Sequence, residues 1–130
     1  MSQMLALALL LSLAAEPEPT FYDVTTAGST TRLKAGESGK LIIAITPKNG
    51  AHISDEAPLK IELSSRESTF AKNKLSLADA VQKGEPRFEI PFTPTAQGPT
   101  SVEAKMTFFV CAEKQCTRQT RTLSFPVEVL

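Results

Sequence analysis

Apolar and polar side chains alternate with a period of two along most of this chain, the spacing of strands that bury one face. In "PLKIEL", Leu59, Ile61 and Leu63 fall on one face and Lys60 and Glu62 on the other. "RFEIPF" repeats the pattern with Phe88, Ile90 and Phe92. "KLIIAITP" is apolar on both parities, Leu41, Ile43 and Ile45 against Ile42 and Ala44, and reads as a strand covered on much of both faces. Two longer runs, residues 101–110 and about 117–129, close the chain. Turn chemistry separates the runs at Pro47-Lys48-Asn49-Gly50 and at "TAQGPT". Pro91 directs its strand to a sheet edge or a bulge, because proline donates nothing to a ladder. Residues 20–38 are polar and rich in Thr and Gly, with at most a short edge strand around residues 31–34. "LSLADAVQKG" is the one helical candidate, and it is short enough to be a strand and turn instead.

About seven short strands with turns between them predict an all-β fold, an immunoglobulin-like β-sandwich. The chain has no Trp and no widely spaced Cys pair, so the antibody-type domain is excluded. The last two runs register by hand as an antiparallel hairpin. With Cys111 opposite Cys116, Ala104 faces Leu123 and Val102 faces Phe125. Met106, Phe108, Val110, Val127 and Val129 then share their face, as a half-buried hairpin requires, and a slip of one residue destroys the agreement. The same parity places Cys111 with Phe109, and Cys116 with Arg118, on the outer face at the hairpin tip.

The first 15 residues differ in kind. Residues 4–15 are apolar and uncharged, too short to span a bilayer, which needs about 20 residues. The length and the small residues Ser12 and Ala14 fit a signal peptide over residues 1–15, with the mature chain starting near Ala15 or Glu16. No Lys or Arg precedes the run. A polar lead-in over residues 16–32 and one domain over residues 33–130 complete the expected organisation. The mature protein is expected to be exported, periplasmic, free of membrane insertion and monomeric. The 130 residues carry 14 basic and 14 acidic side chains, and no clustered basic face marks a nucleic-acid partner.

Chemistry concentrates in the two cysteines, spaced C-x4-C. As a staple the pair is weak: closing a loop of about six residues removes about 2 kcal/mol of unfolded-state entropy, against about 4.7 for a hundred-residue loop. As a metal clip it lacks partners, since zinc wants four ligands and the single histidine, His52, is remote in sequence and reads as a turn or strand-edge residue. No metal and no cofactor are expected. As a redox centre, a disulfide at an open hairpin tip is accessible to exchange. Lys114, Arg118 and Arg121 outnumber Glu113 around it, which favours a thiolate modestly.

The hairpin "MTFFVCAEKQCTRQTRTLSFPVEV", with "LKAGESGKLIIAITPKNGAHISDEAPLKIEL" upstream, resembles the amino-terminal periplasmic domain of the thiol:disulfide interchange protein DsbD and its stand-alone relatives. The likeness covers about residues 33–129, and the cysteine hairpin is its most specific element. It implies an immunoglobulin-like fold in which Cys111 and Cys116 cycle between dithiol and disulfide. It also implies protein thiol or disulfide partners, a thioredoxin-like domain among them, with Cys116 forming the mixed disulfide. A shielding loop in that family suggests residues 64–74 here, with Phe70 as the cap. The chain departs from the family in having no thioredoxin-like domain or membrane helices, and in Thr117-Arg118-Gln119 where many members have prolines.

Two functions follow as expectations. One is an exported thiol–disulfide exchange domain, with Phe109, Lys114 and Arg118 meeting the partner. The other is an immunoglobulin-like binding or scaffold module whose hairpin disulfide is only structural.

Overall fold

The computed structural model describes residues 21–130. The expected signal peptide lies outside them. Ten strands form two sheets: β1 (Tyr22–Thr25), β2 (Arg32–Leu33), β3 (Gly39–Pro47), β4 (His52–Ile53), β5 (Lys60–Ser64), β6 (Ser68–Thr69), β7 (Lys74–Ser76), β8 (Arg87–Pro94), β9 (Gly98–Ala112) and β10 (Gln115–Val129). One sheet runs β1-β3-β8-β6; the other runs β2-β10-β9-β5-β7, with β4 also paired to β9. These are the two strand orders of an immunoglobulin-like sandwich, in which the last hairpin sits beside a strand from mid-chain and the first strand pairs in the opposite sheet. Seven of the strands have three residues or more. The other three, β2, β4 and β6, are two-residue additions too short to leave a periodic signal in the sequence.

The inward parities of both sheets meet in one core. Leu41, Ile43, Ile45, Phe88, Ile90 and Phe92 come from the first sheet, and Ile61, Leu63, Val102, Ala104, Met106, Phe108 and Val110 from the second. Burying such side chains is the main favourable term in the fold. The β9–β10 ladder keeps the predicted register through fifteen consecutive pairs, with Ala104 opposite Leu123 and Val102 opposite Phe125. Leu123 packs against the core as a partly buried residue.

The lead-in segment holds more structure than its composition suggests. β1 pairs with β3, Val24 opposite Ile45, and Tyr22 is buried. The Tyr22 ring meets Phe108 edge-on at 5.1 Å, and its hydroxyl donates to Gln119 Oε1 at 3.2 Å, so it joins the two sheets. Two alternating apolar residues among Thr and Gly were too few to mark this strand. The helical candidate resolves into β7 followed by one 3-10 turn, Leu77–Asp79. Pro91 sits where β8 has a ladder partner only on the β3 side, since β6 reaches no further than Thr93.

Candidate functional site

The site is built at the end of β9. A two-residue turn, Glu113-Lys114, joins β9 to β10 and holds Glu113 at φ 56°, a left-handed conformation that favours glycine. The last pair but one before the turn is Cys111 opposite Cys116, with Cα atoms 3.9 Å apart and a disulfide between them. The bond ties two neighbouring strands of one sheet. It does not pin the two sheets together as the antibody disulfide does.

The two cysteines are not equivalent. Cys116 is exposed, whereas Cys111 is only 7% exposed. This corrects the expectation that the pair lies open together. The reason is β4, which extends the sheet past the end of β5 and pairs His52 with Cys111 and Ile53 with Val110. Cys111 therefore has a strand on each side.

The chain reaches this arrangement through a looped-out segment. From Ile53 to Lys60 is seven positions, while their partners on β9, Val110 and Thr107, are three apart, so four residues leave the ladder. The Ser54 N–H still donates to the Phe109 carbonyl at 2.9 Å. The Ser54 hydroxyl then accepts from the N–H groups of Glu56 and Ala57, at 3.3 and 3.1 Å, and closes the loop. Pro58 follows and, like Phe109, lines a groove.

That groove, about 530 Å³, runs along the outer face of β5, β9 and β10 and is lined by Pro58, Lys60, Lys105, Phe109, Arg118 and Thr120, among others. Phe109 and Arg118 are directly opposed across β9 and β10, and Phe109 is half-buried. Lys60 Nζ lies 2.8 Å from Glu62 Oε1. That hydrogen bond, with the Lys60 charge, holds the Glu62 carboxyl below its ordinary value, and Lys74 and Lys105 add to the effect. With Lys60, Lys105 and Arg118 against Glu62, the groove is cationic on balance. A larger groove of about 760 Å³ is lined by hydroxyl and charged side chains, Ser64, Arg66, Glu67 and Ser101 among them.

Phe109, Arg118 and both cysteines thus share the outer face, as parity predicts, with Lys114 exposed in the turn. Arg121 does not join them. Its parity is inward, and its guanidinium lies 5.8 Å from the centroid of the Tyr22 ring, over its face. Phe70 does not cap the cysteines either. Residues 64–74 leave β5 level with Glu103 and return on β7 opposite Glu62, with β6 between them pinned to Thr93 and Pro94. Glu103 lies eight positions along β9 from Cys111, about 27 Å for an extended strand. Phe70 packs against the core instead. The cover that the resemblance places in residues 64–74 comes from β4. Sequence reasoning missed His52 as a neighbour of Cys111. Its only signal was a lone His one position from the buried Ile53, in a segment too short to register. Among the described residues, no group of three or more His, Cys, Asp or Glu side chains is arranged to hold a metal ion.

The fold and site define a two-sheet immunoglobulin-like domain with a disulfide at the tip of its terminal hairpin. No family model matches the chain, and no curated protein matches it. Among solved structures it is similar to a crystal structure of domains 4 and 5 of the S-layer protein SbsC, at 10% identity and a TM-score of 0.48. That likeness covers 86% of this chain and 53% of the other, so the chain spans about half the length of the structure it matches.

Proposed function

We propose that this chain is an exported thiol–disulfide exchange domain that relays electrons between partner proteins through Cys111 and Cys116. The observation that carries the reading is the asymmetry of the pair. A disulfide open to exchange needs one sulfur a thiolate can reach and one that can leave. Cys116 is exposed and suits attack; Cys111 is covered by β4 and suits the leaving role. Three further points support it. Fifteen ladder pairs already hold the hairpin, so the bond is weakly needed as a staple. Lys114 and Arg118 place positive charge near the exposed sulfur, and Phe109 offers an apolar contact on the same face. The hairpin sequence resembles a domain of known redox type. A persistent disulfide fits an oxidising compartment, as export to the periplasm supplies. The partners are protein thiols or disulfides, of which a thioredoxin-like domain is the expected kind, and no cofactor takes part.

The test is redox titration against glutathione and thioredoxin couples, read by alkylation and mass analysis. The expected potential lies above about −300 mV, the level below which resistant structural disulfides fall. A potential well below it, with no exchange in the native protein, leaves the second reading: a binding module that uses the groove beside Phe109. The groove that Phe109 and Pro58 both line is what favours that alternative. It predicts partner binding that is indifferent to the redox state of the cysteines and sensitive to Phe109→Ala.

A further inference from the structure

His52 is the only histidine of the chain. The structure places it directly opposite Cys111, on the side of β9 away from Cys116. Directly opposed residues point to the same face, with Cβ atoms about 4.5–5.5 Å apart. His52, Cys111 and Cys116 therefore form a row of three across β4, β9 and β10 on the outer face. His52 is exposed, whereas the Cys111 opposite it is buried.

From this row we infer that His52 is the charge partner of Cys111, stabilising its sulfur as a thiolate when the disulfide opens. The inference rests on the exchange reading above and deepens it. The step runs as follows in electrons and protons. A thiolate of a reduced dithiol partner attacks Cys116 Sγ. A bond forms between the two sulfurs, the Cys111–Cys116 bond breaks, and its electron pair leaves on Cys111 Sγ. The imidazolium of His52 stabilises that charge and then gives the thiolate its proton. The partner's second thiolate attacks the partner sulfur of the mixed disulfide, and Cys116 leaves as a thiolate that takes a proton from water. The partner departs as a disulfide, His52 regains its proton from water, and this chain has gained two electrons and two protons.

A buried sulfur is a poor place for a lone negative charge, because burial disfavours the charged form of a thiol. An opposite charge within about 4–6 Å reverses that preference by 1–3 pH units. Imidazole is a side chain that can carry positive charge and hand on a proton, the two properties the step needs. The other charged groups around this face are Glu113 and Lys114 in the turn, Arg118 on β10, Asp55 and Glu56 in the loop after β4, and Lys48 before it. Lys48 is paired with Asp23 at 3.2 Å, which leaves two basic side chains against three acidic ones, and none of these stands opposite Cys111 in the ladder.

The experiment isolates Cys111 as the sole thiol with Cys116→Ser and follows thiolate formation by its ultraviolet absorbance across pH. With His52 present, the thiolate is expected to form well below the ordinary thiol range near pH 8.5. Adding His52→Ala or His52→Gln is expected to move the transition up by about one pH unit or more, an about tenfold fall in thiolate fraction at neutral pH. In the disulfide form of the otherwise unchanged protein, the same substitutions are expected to slow reduction by dithiothreitol by a similar factor. His52→Lys, which restores a positive charge, is expected to recover most of the thiolate. Circular dichroism separates misfolding from loss of charge, and His52→Gln keeps polarity and size if the alanine variant is unstable. An unchanged thiolate transition in folded His52→Ala and His52→Gln overturns the inference. A native disulfide that dithiothreitol cannot reduce overturns the exchange reading instead, while the thiolate titration still reports on His52 and Cys111.

Discussion

Cys111 and Cys116 face each other across β9 and β10 with Cα atoms 3.9 Å apart, yet one is covered and the other open. The difference comes from neither cysteine's own strand. Among the described residues, the segment of β10 around Cys116 has no partner on its far side, since β2 reaches only Glu128 and Val129. Along β9 the corresponding side is closed by His52 and Ile53. A two-residue strand thus leaves the two ends of a chemically symmetric bond unequally exposed.

That difference predicts the behaviour of single-cysteine variants. Cys111→Ser leaves the exposed Cys116 thiol, and Cys116→Ser leaves the covered Cys111 thiol. The first is expected to trap mixed disulfides with a thioredoxin-like partner, or with an activated small disulfide, at least several-fold faster. Non-reducing electrophoresis and mass analysis read the adducts. Equal trapping by the two variants would show that the cover over Cys111 does not govern access.

The double variant Cys111→Ser/Cys116→Ser addresses the staple reading. The loop closed by the bond is short, and the chain-entropy relation assigns it about 2 kcal/mol. Fifteen backbone pairs and the shared core remain to hold the hairpin. The variant is expected to keep its β-sheet circular dichroism and to lose about 2 kcal/mol in urea unfolding. Collapse of the fold would mean that the disulfide organises the hairpin and not the reverse.

What the sequence made legible was the part of the fold governed by long alternation. The hairpin register follows from apolar parity over residues 102–129, because one wrong step would turn Phe108, Met106 and Phe125 to water. The outward parity of Phe109 and Arg118 came with it. The cover over Cys111 was hidden for the converse reason. β4 has two residues and reaches its place only because four residues loop out before β5, a length change that no period reveals. Arg121 was misplaced because the inward positions 117, 119 and 121 of β10 are polar and look solvent-facing, although they stand opposite the core residues Val110, Phe108 and Met106. Its true neighbour, Tyr22, lies at the other end of the chain.

A pH-dependent contribution is expected at the 3-10 turn after β7. Asp79 accepts from Lys72 Nζ at 2.7 Å and from the Ser76 N–H at 2.8 Å. These contacts, Lys72 first, hold its carboxyl below the ordinary value of 3.8. A carboxylate with a depressed folded value stabilises the native state fully above its ordinary value, and the contribution is lost as pH falls through the lower folded one. Asp79→Asn is therefore expected to be less stable than the parent at neutral pH, with the gap closing in strong acid. Urea unfolding at neutral and acidic pH measures the gap, and a difference independent of pH would remove the charge from the explanation.

Gly39 opens β3 opposite Phe92, and the Phe92 ring lies close to the space that a side chain at Gly39 would take. A Cβ at this position would lie 2.8 Å from Phe92 Cζ, 3.0 Å from Cε1 and 3.1 Å from Leu33 Cδ1. Phe92 is 1% exposed, so a shift of its ring must displace other core side chains. Leu33, itself buried, is held by the parallel pair that β2 makes with Val129. Gly39→Ala is expected to cost about 1–3 kcal/mol, the usual range for overpacking a filled core. Phe92→Leu removes the ring edge that the new methyl meets, so the alanine penalty measured in that background should shrink, although Phe92→Leu is itself destabilising through the volume it leaves empty. Gly36 is the control: its left-handed φ of 85° penalises alanine through the backbone, but nothing lies within 4 Å of the added Cβ. Gly36→Ala should therefore show no coupling to Phe92→Leu. A Gly39→Ala penalty that stays the same with and without the phenyl ring would place its cost in the backbone and not in the ring contact.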